Sequence, residues 1–174
     1  MRRAVHFLAI LAVTLTSFLI SAPAGHAKSL VTVLRYDASR AQEFRTYIDQ
    51  AAAVWNSSVR NVRLEPGTPA HFVVYADNGW PRTLPTSLGR GTIYMGRQAT
   101  AEGHNPLRIA THEIGHILGL PDRRTGLCTD LMSGASAGTS CTNPNPNAAE
   151  KAQVERNFTG GTPQITFNTL HVDR

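Results

Sequence analysis

Between Asn105 and Asp122 the chain reads Asn-Pro-Leu-Arg-Ile-Ala-Thr-His-Glu-Ile-Gly-His-Ile-Leu-Gly-Leu-Pro-Asp, and no other stretch constrains the fold as much. Asn105 followed by Pro106 is a helix start, with Asn as the cap and Pro at the first position, where its missing N–H costs nothing. Leu107, Ala110, Ile114, Ile117 and Leu118 recur at helical spacing and predict one apolar stripe. A helix turns about 100° per residue, so His112 and His116 differ by about 40° and stand one turn apart on a shared face. His116 lies about 200° around from Ile114, so the histidines are expected to face away from the core and line a cleft. Gly119 can take a positive φ and turn the chain back.

Two histidines four apart, with glutamate directly after the first, form the zinc-ligand and general-base spacing of metalloproteases when they lie on a helix. A catalytic zinc site takes three protein ligands and keeps one position open. His112 and His116 would supply imidazole nitrogens, and Asp122 a carboxylate oxygen as third ligand. Glu113 projects about 100° from His112, at the rim of the same cleft, where it can accept a proton from water as general base. A carboxylate in place of a third histidine lowers the charge of the zinc unit, so the activated water is expected to be less acidic. The competing reading makes His112 and His116 helix-surface residues, Glu113 a solvated charge and Asp122 a turn residue; Met132 alone reads as core.

The 174 residues suggest one domain preceded by a leader. Arg2 and Arg3, the apolar run Ala4 to Ile20, and small residues before Ala24 and Ala27 read as a secretory signal peptide over 1–27, leaving 28–174 as the catalytic domain. The competing membrane anchor would want about 20 apolar residues. Removing Arg2 and Arg3 lowers the formal charge from +5 to +3. The remaining basic residues are scattered, which argues against a nucleic-acid groove. Cys128 and Cys141 are the only cysteines. In an oxidising compartment they most simply pair, whereas zinc ligation is weak at their spacing.

Ser29 to Tyr36 reads as a first strand, and Asp37 and Ser39 offer caps for a helix with the stripe Phe44, Ile48, Ala51, Trp55. Asn56-Ser57-Ser58 ends that helix and matches a glycosylation sequon, taken here as a loop signal. Val62 to Glu65 and His71 to Ala76 are further strands, with His71 a plain strand residue. Asp77 to Arg90 reads as a surface loop, and Gly91 to Gly96 as a strand that is a candidate open edge for an extended peptide. From Asp122 to Asn147 the chain is loop-like, and a loop of that length calls for a function or a staple. Ala148 to Phe158 reads as a closing helix, with Asn147 and Glu150 as a capping box. Ile165 to Leu170 could add a strand.

The pattern His112-Glu113-x-x-His116-x-x-Gly119-x-x-Asp122, followed by Leu131-Met132-Ser133-Gly134, resembles the snapalysin family, small secreted neutral metalloproteases of bacteria within the metzincin-like zincins. Trp55-Asn56-Ser57-Ser58-Val59 and Cys141-Thr142-Asn143-Pro144 carry the resemblance across most of the chain after the leader. It implies zinc held by His112, His116 and Asp122, catalysis by Glu113, a Met-turn at Met132 and a Cys128–Cys141 disulfide. It further implies an α+β fold: a twisted, mostly parallel sheet with one antiparallel edge strand, an active-site helix and a C-terminal helix. The implied activity is secreted endopeptidase cleavage of proteins such as casein, with a liking for aromatic residues on the primed side. The family is generally made with a propeptide, whereas the first strand here begins almost directly after Ala27. Calcium is associated with the family, but the Pro85 to Gly91 loop has no carboxylate, and calcium wants several oxygen ligands.

The expectation is therefore a secreted, monomeric α+β zinc endopeptidase acting on protein or peptide substrates, with no nucleic acid and, after signal cleavage, no membrane partner. A peptide-binding protein on the same fold would not need Glu113. A structural zinc protein would show four closed ligands rather than three. Tyr94 and Arg123 are near the site only in sequence as candidates to stabilise a developing oxyanion.

Overall fold

The computed structural model describes residues 30–174, so the leader expected over 1–27 lies outside the described residues. Six strands, β1 (Thr32–Arg40), β2 (Val62–Pro66), β3 (Phe72–Asp77), β4 (Arg82–Ser87), β5 (Arg90–Gly96) and β6 (His171–Val172), form one sheet in the order β2-β1-β3-β5-β4-β6. The helices are α1 (Arg45–Ser58), α2 (Arg97–Ala101), α3 (Pro106–Ile117) and α4 (Ala148–Asn157). Strands β2, β1, β3 and β5 are parallel, and β4 runs antiparallel to β5, so the mostly parallel α+β sheet expected from the resemblance is present. Among the described residues no helix is long and apolar enough to cross a membrane.

Period-two burial builds the sheet. Leu34 and Tyr36 on β1, Phe72 and Val74 on β3, and Ile93 and Met95 on β5 all point into one core. The stripe on α1 is buried as its spacing demands, and α1 packs against α3. There the Trp55 indole N–H donates to the Thr111 carbonyl at 2.9 Å. Gly115 makes this approach possible: a Cβ there would stand 2.7 Å from Met132 Sδ and 3.5 Å from Trp55 Cζ2.

Several expectations are corrected. Asp37 and Ser39 do not cap α1; β1 continues to Arg40, and Asp37 Oδ1 accepts the Ser39 N–H where the register against β3 shifts. Ala38 is buried there, which keeps the chain in the sheet, and α1 is entered through a 3-10 turn, Gln42–Phe44. Asn56 is helical, and its amide clamps Leu64 of β2 by donating to the carbonyl and accepting the N–H. The supposed loop Asp77 to Arg90 contains β4, disguised because Pro85 is unusual in a strand; here it sits opposite Gly91. Strand β5 is internal between β3 and β4, not an edge. The added strand is His171–Val172 rather than Ile165 to Leu170.

The long segment after Asp122 is held from α3 and α4. Cys128 and Cys141 are joined by a disulfide. The buried Arg108 guanidinium donates to the carbonyls of Cys128, Asn143, Asp130 and Leu131. Four carbonyl acceptors let a cation stay inside without a carboxylate partner. The Asn147–Glu150 capping box forms as expected, and Glu150 Oε1 also accepts the Met132 N–H at 2.8 Å. The 3-10 stretch Leu131–Ala137 is thereby pinned beneath α3.

Candidate metal centre

The histidines do turn away from Ile114, yet they do not line an open cleft: His112, Glu113 and His116 are wholly buried. The chain after Asp122 and the segment after α4 enclose that face of α3. His112 Nδ1 lies 3.0 Å from the Leu131 carbonyl, and His116 Nδ1 lies 2.8 Å from the Leu120 carbonyl. A carbonyl oxygen only accepts, so each ring carries its proton on Nδ1 and presents a bare Nε2. Gly119, at φ 90°, turns the chain so that Leu120 and then Asp122 come back to those nitrogens. Asp122 Oδ1 is 3.3 Å from His112 Nε2 and 3.6 Å from His116 Nε2.

Among the described residues, the buried side-chain polar atoms without a hydrogen-bond partner are His112 Nε2, His116 Nε2, Asp122 Oδ1 and Glu113 Oε1. Buried orphan atoms call for an explanation, and their convergence suggests one. Three such atoms belong to His112, His116 and Asp122, grouped within 4.8 Å. Tetrahedral zinc bonds of about 2.1 Å imply donor-to-donor edges of about 3.4 Å, close to both measured separations. The donor set therefore fits a zinc ion.

Glu113 stands apart from those three. Its Oε2 accepts the Thr83 hydroxyl at 2.6 Å, leaving Oε1 bare. Burial pushes its carboxyl up to about 8, with Asp173 adding to the rise. Burial and the neighbouring His112 hold His116 well below the usual histidine range. Asp122 is pulled down to about 2: its burial works the other way, but the two imidazoles and Arg124 outweigh it. The Arg124 guanidinium lies 3.2 Å from Asp122 Oδ2. Met132 is wholly buried under Gly115, one residue before His116.

Sequence reasoning missed Thr83, Arg124, His171 and Asp173. Thr83 lay in a stretch read as loop, and the others carry no spacing signal toward the helix. The His171 ring stacks on His116 with centroids 4.9 Å apart, and Asp173 Oδ1 lies 3.9 Å from His112 Nε2. Tyr94 and Arg123 are engaged elsewhere: Tyr94 stacks on Tyr75 beneath the Arg82 guanidinium, and Arg123 donates to Gln164.

An extracellular small neutral protease of Streptomyces caespitosus is 43% identical over 128 residues, covering 72% of this chain and 96% of that protein. One from Streptomyces coelicolor is 41% identical over 141 residues, covering 79% of this chain and 65% of its own length. Another, from Streptomyces lividans, is 41% identical over 132 residues, covering 75% of this chain and 58% of its own. The chain thus spans less than two thirds of the last two relatives. Among solved structures, High choriolytic enzyme 1, a hatching enzyme zinc-protease from Oryzias latipes, is 21% identical, covers 55% of this chain and 47% of its own, and has a TM-score of 0.42, too slight a likeness to carry an argument. The Streptomyces extracellular neutral proteinase (M7) family matches residues 30–161, from just before β1 to just past α4. A match of that extent is decisive, and the chain belongs to this family of extracellular neutral proteinases.

Proposed function

We propose that the chain is a secreted zinc-dependent endopeptidase in which His112, His116 and Asp122 hold the ion and Glu113 is the general base. The observation that carries this reading is the convergence of three bare ligand atoms beside a bare carboxylate oxygen, Glu113 Oε1. Zinc, when bound, supplies a Lewis acid that acidifies water and polarises a peptide carbonyl. The chain's own residues do the rest. Leu131 and Leu120 orient the two imidazoles through Nδ1, the outer-shell support that ligating histidines need. Arg124 occupies Asp122 Oδ2 and leaves Oδ1 for the ion. Thr83 anchors Glu113 Oε2, so Oε1 is the atom that takes the proton from the attacking water and returns it to the leaving amine. Met132 forms the floor beneath α3 as a Met-turn.

Residues 1–27 serve as the leader and 28–174 as the catalytic unit, a monomer in this reading. Its substrates are proteins or peptides, with the aromatic primed-side preference that the family resemblance implies. The test is casein cleavage with and without a zinc chelator, with the products sequenced. About one zinc per chain is expected, with chelation stopping cleavage. Glu113→Gln should keep the zinc and lose hydrolysis. A metal-free, folded and fully active protein would refute the reading.

A further inference from the structure

Residues 162–174 lie beyond the part of the chain that the family match covers, and they return to the candidate centre. The path follows the outer side of β4 from Pro85 back to Arg82 and on to Pro81. Asn168 N donates to Pro85 O at 2.7 Å, His171 and Val172 pair with Thr83 and Arg82, and Asp173 N donates to Pro81 O at 3.0 Å. Thr83 is the residue whose hydroxyl holds Glu113, so β6 sits at the register of the general base. Without β6, β4 would present an open antiparallel edge there, and an extended peptide joins a sheet through such an edge.

The side chains of this segment point to the same place. His171 covers the His116 ring, and the Asp173 carboxylate, almost wholly buried, forms a second cluster of potential metal ligands with His112 and Glu113. Arg124 is the latch, joined to Asp122 on one side and to Asp173 Oδ1 at 2.8 Å and the Val172 carbonyl at 2.7 Å on the other. Asp173 Oδ1 also accepts the Ala135 N–H at 2.7 Å. Gly134, at φ 58°, makes room, because a Cβ there would overlap both Asp173 Oδ1 and the Arg124 guanidinium. A carboxylate with an ion pair and a backbone donor in a glycine cradle is a built seat, not a loose end.

We propose that this segment is a competitor built into the chain: His171–Val172 hold the edge of β4 that an extended peptide substrate needs, and Asp173 sets a carboxylate against the metal-binding face of His112. The inference rests on reading the site as a peptidase. Access to substrate then requires the segment to leave, and the apparent affinity for a peptide falls by the fraction of chains in which it has left. Arg124 stays behind when it goes, paired with Asp122 alone.

The experiment uses zinc-loaded protein carrying Glu113→Gln, so that binding is read without turnover, and fluorescein-labelled casein as the probe. Replacing His171 to Arg174 by four glycine or serine residues should tighten casein binding roughly ten-fold or more, with Asp173→Ala giving part of that gain. Hydrogen exchange on the chain with its segment intact should show 168–173 protected, and protection lost when casein saturates the site. Equal casein affinity with and without the segment, or a segment still protected under bound casein, overturns the inference. Cleavage assays with Glu113 restored separate the two levels. Casein hydrolysis at a rate indifferent to the segment overturns the inference alone; a chain that neither binds nor cleaves casein in any form overturns the peptidase reading and the inference together.

Discussion

Replacing Glu150 by alanine tests how α4 supports a centre it does not touch. Glu150 is buried, and its Oε2 accepts the Asn147 N–H at 2.6 Å and the Leu131 N–H at 3.3 Å, while Oε1 accepts the Met132 N–H at 2.8 Å. Alanine leaves the Leu131 and Met132 amides inside without acceptors, at about 1–3 kcal/mol each. It also removes the reciprocal half of the α4 capping box, about 0.5–2 kcal/mol. The sum is roughly 2.5–8 kcal/mol, a large part of the 5–15 kcal/mol that holds a typical domain together. Urea unfolding in chelator, followed through the buried Trp55, should show the midpoint falling by roughly 1–4 M for a slope of about 2 kcal/mol per M. Glu150→Gln retains one carbonyl acceptor and should fall between. Because the Leu131 carbonyl orients His112, zinc affinity should drop as well, by about 10–100-fold. An unchanged midpoint in Glu150→Ala would refute the accounting, and a lowered midpoint with full zinc affinity would refute the link from α4 through Leu131 to His112.

Gly115→Ala should destabilise the protein by about 1–3 kcal/mol, because the new methyl meets Met132 Sδ. Combining it with Met132→Ala should cost less than the sum of the single changes, and strict additivity in urea unfolding would contradict the contact. Reducing the Cys128–Cys141 disulfide, whose partners are 13 residues apart, should cost about 3 kcal/mol and loosen the segment carrying Met132; an unchanged thermal midpoint would count against this. Thr83→Val should lower kcat about ten-fold or more with KM little changed, since it frees Glu113 Oε2, and Thr83→Ser should restore the rate. If serine fails to restore it, the hydroxyl is not what positions Glu113.

The features readable from the chain alone are those governed by neighbours within a turn or two. The Asn105 cap with Pro106 behind it, the Asn147–Glu150 box, the stripe from Phe44 to Trp55 and the four-residue spacing of His112 and His116 all follow from helical geometry, and each appears where expected. Strand β4 was hidden because Pro85 and its polar neighbours have loop composition, and only pairing with β5 makes them a strand. The supposed edge at β5 failed for the same reason, since the same residues serve an internal or an outer strand equally well until a partner is chosen. The position of Asn56 is similar, with a loop-like composition put to use as a clamp on β2.

By itself the sequence determined the four-residue spacing that sets His112 and His116 on one face, the helix that carries them and the turn at Gly119 that brings Asp122 back toward them, because these follow from local backbone geometry. Tertiary structure alone decided that Thr83 grips Glu113 from a strand 30 residues away in sequence, that Arg124 joins Asp122 to Asp173, and that residues 168–173 close over β4. Contacts of that range depend on which strand edge and which buried orphan atoms the rest of the fold leaves available. No periodicity in the chain encodes that choice.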